Sequence, residues 1–119
     1  MEKSLGVVEA KFADIIWTNE PLSSTELSKL AYTALGWKKT TSFTVLKRLC
    51  DKGLFVNEKG MVSSLVSKKD FYSMQTEKFV EETFQGSLPA FLAAFTGRKK
   101  LSKEEVEELK RFVKEYEGE

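Results

Sequence analysis

Thr40, Thr41, Phe43, Thr44 and Lys47 stand closest together among the residues whose types and spacing could read another molecule. Thr41, Thr44 and Lys47 fall at i, i+3 and i+6, close to one side of a helix. Their hydroxyls, methyls and ammonium suit the base edges of a DNA major groove. A hydroxyl donates or accepts, a methyl meets the methyl of thymine, and Lys47 reaches a guanine or a phosphate. Around them lie Lys38, Lys39, Arg48, Lys52 and Lys59. Their charges suit phosphates, which fix a protein's position without reading sequence. Arg48 has a second reading of equal weight, as a tie from this helix to an acid elsewhere.

Such residues work only on a rigid support. The spacing predicts a helix beginning near Lys38–Thr41, with Val45, Leu46 and Leu49 as its apolar face and Lys47, Arg48, Asp51 and Lys52 off it. Gly53 stops it, as a left-handed residue past a helix end does. Two β-prone runs follow, Leu54–Val56 and Met61–Ser63, with Asn57–Glu58–Lys59–Gly60 between them as the turn of a hairpin. A helix followed at once by a tight hairpin is the recognition helix and wing of a winged helix-turn-helix.

Charge is distributed to match. The net charge is only +1, but residues 38–69 carry eight Lys or Arg against two acids, and residues 73–119 carry eight against ten. A basic middle and an acidic end suit one face turned toward phosphates. Other chemistry finds little support. The chain has no histidine and a single cysteine, Cys50, read as a small buried hydrophobe and not a redox sensor. No zinc-ligand spacing or glycine-rich phosphate loop is present, so no cofactor, metal or catalytic residue is expected. Glu104, Glu105, Glu107 and Glu108 read as a solvated helix face. No run approaches the ~20 apolar residues of a membrane span, and the N-terminus lacks the apolar core of a secretory signal. The expected location is the cytoplasm.

Further helices frame the central piece. The first is expected over Leu5–Asn19, its stripe made of Val8, Phe12, Ile15 and Ile16, with Pro21 ending it and Trp17 in the core. The second opens on Ser23 and Glu26, spaced as a capping box, and carries Leu27, Leu30, Ala31 and Ala34 on one face. Helical regions follow over residues 67–83 and around Leu88–Phe95, and a last helix starts at the capping box Ser102/Glu105. Phe79, Phe84, Phe91, Phe95 and Phe112 are more aromatic surface than short helices bury on themselves. The surplus implies a partner, first of all a second copy; the competing reading completes a core with the first helix. The expected interface is Phe84, Leu88, Phe91, Leu92, Phe95, Val106, Leu109, Phe112, Val113 and Tyr116.

Thr41–Leu49 followed by Lys52–Gly53–Leu54 resembles the recognition segment of the penicillinase-repressor (BlaI/MecI/CopY) family. Glu9 and Ile15–Ile16–Trp17 upstream, and Leu101–Ser102 through Glu107–Leu109 downstream, extend the likeness over nearly the whole chain. The resemblance implies a repressor that dimerises through its C-terminal helices and binds a palindromic operator, with a regulatory protease or sensor protein as a further partner. The sequence departs from the family pattern in four places. Phe43 replaces an Arg that faces DNA. Met61–Val62–Ser63 replaces the family's wing residues. Ala94–Phe95 stands at the bond where the β-lactam branch is cleaved at Asn–Phe. The copper branch's C-x-C cluster is missing. The expectation is therefore a mostly α chain with a small β-hairpin: a winged helix-turn-helix DNA-binding domain over 1–69 and a helical dimerisation region over 70–119. It is expected to act as a DNA-binding repressor, not an enzyme. The alternative is a winged-helix protein-interaction module without specific DNA binding.

Overall fold

The computed structural model describes residues 5–118. Among the described residues there are six helices and one small sheet: α1 (Val7–Asn19), β1 (Leu22–Ser23), α2 (Ser24–Leu35), α3 (Lys39–Asp51), β2 (Phe55–Glu58), β3 (Met61–Ser64), α4 (Lys68–Phe84), α5 (Leu88–Thr96) and α6 (Lys103–Glu117). The sheet is antiparallel in the order β1-β3-β2. Three helices with a three-stranded sheet, followed by further helices, make a winged helix-turn-helix with a helical C-terminal part. The chain divides between Gln75 and Thr76, inside α4, into two compact units.

In the first unit the core is the junction of α1, α2, α3 and the sheet. Phe12, Ala13 and Ile16 of α1, Leu27 and Ala31 of α2, Val45, Leu46 and Leu49 of α3, and Leu54, Phe55 and Val62 around the wing are all buried. The α3 face matches its spacing. The α1 stripe is rotated from the expected one: Val8 is exposed, Ile15 only partly buried, and Ala13 takes a core place. Helix α1 also starts at Val7, capped by Gly6, and not at Leu5. Ala34 of α2 is exposed as well, because α2 turns only its Leu27–Ala31 side inward.

Trp17 belongs to the core support. Its indole Nε1 donates to the Val66 carbonyl at 3.0 Å, and its ring lies 5.2 Å from Phe55 and 5.6 Å from Phe71. The Glu20 carboxylate accepts from the Ser64 N–H at 2.7 Å and from its hydroxyl, tying the end of α1 to β3. Lys68 donates to Asp14 at 2.6 Å and joins α4 to α1.

The wing differs from its expected form in two ways. Asn57 and Glu58 are strand residues, paired with Val62 and Met61, so the turn is only Lys59–Gly60. Both turn residues have positive φ, 52° and 86°, the type I′ geometry that matches the twist of a two-residue hairpin. The hairpin also has a third partner, because Leu22 and Ser23 pair with Val62 and Met61.

In the second unit, Phe79, Phe84 and Phe91 form a ring cluster with centroids 5.8–6.1 Å apart, in edge-to-face contacts. Helix α5 is capped by Ser87, which accepts from the Ala90 N–H, with Pro89 in its first turn. Helix α6 has the full capping box: Ser102 accepts from the Glu105 N–H, and Glu105 accepts from the Ser102 N–H.

Candidate nucleic-acid interface

Helix α3 has two unlike sides. Ser42, Val45, Leu46 and Leu49 point inward and are buried. Thr40, Thr41, Phe43, Thr44 and Lys47 are exposed, as the i, i+3, i+6 spacing of Thr41, Thr44 and Lys47 predicts for those three. The inward side locks the helix to α2 and the sheet, so the outward side is a fixed platform. Ser42 Oγ, buried with no hydrogen-bond partner among the described residues, marks the polar exception on the inward side.

Helix α3 ends in a Schellman motif. The Gly53 N–H bonds the Cys50 carbonyl at 2.9 Å and the Leu54 N–H bonds the Leu49 carbonyl at 3.2 Å. Gly53 has φ +81°, a conformation that costs a side-chain-bearing residue about 1–2 kcal/mol. The motif swings the chain directly from α3 into β2, and so it sets the wing beside the outward face.

The outward residues are not equally available. The Thr44 hydroxyl donates to the Thr40 carbonyl at 2.9 Å, which leaves its methyl and its oxygen lone pairs for an outside contact. Lys47 is well exposed and stands 3.4 Å from Asp51, a pair one helical turn apart. Lys39 Nζ sits 5.5 Å from the centroid of the Phe43 ring. Lys38, at the N-cap, and Lys59, at the wing tip, are exposed.

Arg48 and Lys52 behave differently. Arg48 Nη1 donates to Glu9 Oε2 at 3.0 Å, and Lys52 Nζ lies 3.7 Å from Glu9 Oε1. Burial pushes the Glu9 carboxyl up. The Arg48 hydrogen bond, the Gly6 N–H and the two cations outweigh it and hold the carboxyl below its ordinary value. Of the two readings of Arg48, the tie to an acid is therefore formed, and Glu9 of α1 is that acid. Lys52 is mostly covered, with 19 % of its side chain exposed. Nothing in the local sequence of α3 names this partner; only the position of Glu9 on the stripe side of α1 hints at it.

A groove between α3 and β2, lined by Phe43, Leu46, Cys50, Phe55, Val56 and Leu65, also escaped the sequence. Cys50 is half-buried there, not fully buried as expected. Burial and the neighbouring Asp51 push its thiol up, against the pull of Lys47, so the thiolate is disfavoured. Among the described residues no group of three or more His, Cys, Asp or Glu could hold a metal, and no helix is long and apolar enough to cross a membrane.

The expected interface residues of the second unit fall into two sets. Phe84, Phe91, Leu92 and Val106 are half-buried. Leu88, Phe95, Leu109, Phe112, Val113 and Tyr116 are exposed, several by more than half. A groove between α5 and α6 is lined by Phe91, Leu92, Phe95, Leu101, Leu109 and Phe112.

Comparison with known proteins agrees with this arrangement. The family model for the penicillinase repressor matches residues 5–115. The chain is 25% identical over 109 residues to the methicillin resistance regulatory protein MecI of Staphylococcus aureus strain Mu50, covering 88% of this chain and 89% of that one. It is 25% identical over 112 residues to the penicillinase repressor of Bacillus licheniformis, covering 91% and 88%. A match of that extent, carried by a winged helix with its helical C-terminal part, means that this chain belongs to the penicillinase repressor family.

Proposed function

We propose that the chain is a sequence-specific transcriptional repressor that binds a palindromic DNA operator as a homodimer. One observation carries the reading: α3 is pinned by its apolar side and shows Thr40, Thr41, Phe43, Thr44 and Lys47 outward, next to a wing tipped with Lys59. A helix so held fits a major groove, its outward side chains toward base edges. Lys38, Lys39 and Lys59 are the cations that meet phosphates first. Arg48 and Lys52 add to the field, although Glu9 already engages both. The exposed apolar residues of α5 and α6 support the dimer. Leu109, Phe112, Val113 and Tyr116 on a single helix are too much apolar surface to leave in water.

Repression needs a release step, and a regulatory protease or sensor protein remains the partner that the family likeness suggests. The Ala94–Phe95 bond lies within α5, so a protease must first unwind the end of that helix.

Selection from random duplexes, followed by binding measurements at fixed salt, tests the proposal. A two-fold-symmetric preferred sequence is the expected result. Binding of all sequences alike, or salt-insensitive absence of binding together with retention of a protein partner, would replace it with the interaction-module reading.

A further inference from the structure

Phe43 is the one large apolar side chain on the outward face of α3, with 37 % of its surface exposed. An aromatic ring in water on an otherwise polar face forgoes a burial worth keeping. The ring also has neighbours on the protein. It lines the α3–β2 groove with Leu46, Cys50 and Phe55 on one side, and the Lys39 ammonium stands over it at 5.5 Å. A ring with two χ angles, part of it already in contact with the protein, has little side-chain freedom to lose on meeting a ligand.

The ring has no donor or acceptor for the hydrogen-bonding atoms of a base pair. The major groove displays one apolar group in unmodified DNA, the 5-methyl of thymine. Thr44, the next residue, points to the same chemistry. Its hydroxyl proton is committed to the Thr40 carbonyl at 2.9 Å, so it has no proton to donate outward and offers its methyl together with the oxygen lone pairs. Lys39, an exposed residue whose ammonium stands over the ring, is placed for the phosphate beside the base that the ring would touch.

We propose that Phe43 reads the 5-methyl group of a thymine in each operator half-site, an inference that rests on the function proposed above. Specificity at that base pair then comes from apolar contact and not from a bidentate hydrogen bond, and the preferred operators differ there from those that an outward Arg would select.

The test uses the full chain and the operator found by selection. Each thymine is replaced in turn by deoxyuridine, which removes the methyl and keeps the pairing and the O4 acceptor. One position per half-site should lose about fourfold in affinity, the effect of uncovering one methyl-sized group. In Phe43→Ala that loss should vanish while affinity for random DNA is kept; in Phe43→Leu, which stays apolar, part of it should remain. A wild-type chain indifferent to deoxyuridine at every position, or a Phe43→Ala chain with the same penalty as wild type, overturns the thymine reading and leaves the repressor reading standing. Failure to select any sequence overturns both.

Discussion

Arg48 and Glu9 are 39 positions apart in sequence and 3.0 Å apart in space, and their bond fastens α3 to α1. Lys52, the residue just past the end of α3, leans on the same carboxylate at 3.7 Å. Glu9 thus neutralises two cations of the basic segment and sets the attitude of the helix that carries the outward residues. A partly exposed pair of this kind contributes about 0.2–1 kcal/mol. A double-mutant cycle with Glu9→Gln and Arg48→Met should return a coupling of that size in urea denaturation. Glu9→Gln should be the worse single change, since it takes the carboxylate away from both Arg48 and Lys52. Additive losses would show that the pair is not coupled.

The same carboxylate predicts an acid limb. Its folded-state value lies below the ordinary 4.5, so it stabilises the fold fully above the unfolded value, and this contribution is lost as pH falls through the folded value. The stability gap between wild type and Glu9→Gln should therefore be constant near neutrality and close as pH falls through the ordinary 4.5 and then the lower folded value. A gap that widens on acidification would reverse the sign and contradict the geometry.

Lys59 and Thr44 should separate positioning from reading. Lys59 has φ 52°, which Asn tolerates better than Ala, so Lys59→Asn removes the charge while keeping the turn. It should weaken selected and random DNA alike and lower the slope of log affinity against log salt by about one. Thr44→Ala should cost about 1–3 kcal/mol on the selected operator and little on random DNA. Equal behaviour of the two variants on both DNAs would mean that α3 does not dock as proposed.

Gly53→Ala tests the joint between α3 and the wing. At φ +81° an alanine is strained by about 1–2 kcal/mol, and the denaturation midpoint should fall accordingly. Operator affinity should fall further than stability explains if the joint also aims the wing. An unchanged midpoint would mean that the left-handed turn is not held.

Leu109→Asp places a charge in the exposed apolar side of α6. The mass in equilibrium sedimentation should drop by half, and operator binding should weaken with it. A wild-type chain that sediments as a monomer at about tens of micromolar would end the dimer reading.

The sequence was most legible where structure is local. Ser102 and Glu105 cap α6 reciprocally because both partners lie within one turn, and the Val45–Leu46–Leu49 face follows from spacing alone. The outward position of Thr41, Thr44 and Lys47 follows from their i, i+3, i+6 spacing. Long-range partners were hidden. Two residues, Leu22 and Ser23, carry no strand signal of their own and become β1 only because β3 offers an edge. Val8 fits the helical spacing of the stripe as well as any residue of α1, and only the tertiary packing leaves it in water and puts Ala13 in the core. Glu9 could not be matched to Arg48 and Lys52 without the fold that brings α1 across α3.

The wing is bound along its β3 side and at its tip. β3 sits between β1 and β2, and at the tip the Ser24 N–H bonds the Gly60 carbonyl at 2.8 Å, so the turn that carries Lys59 is fastened to the start of α2. A free two-stranded ribbon would have to surrender its motion on meeting DNA; this one has little left to surrender. Its grip on phosphate should accordingly show a small entropic penalty and a fast, nearly rigid-body association. A backbone contact at the tip would be felt at the beginning of α2 as readily as in the wing itself.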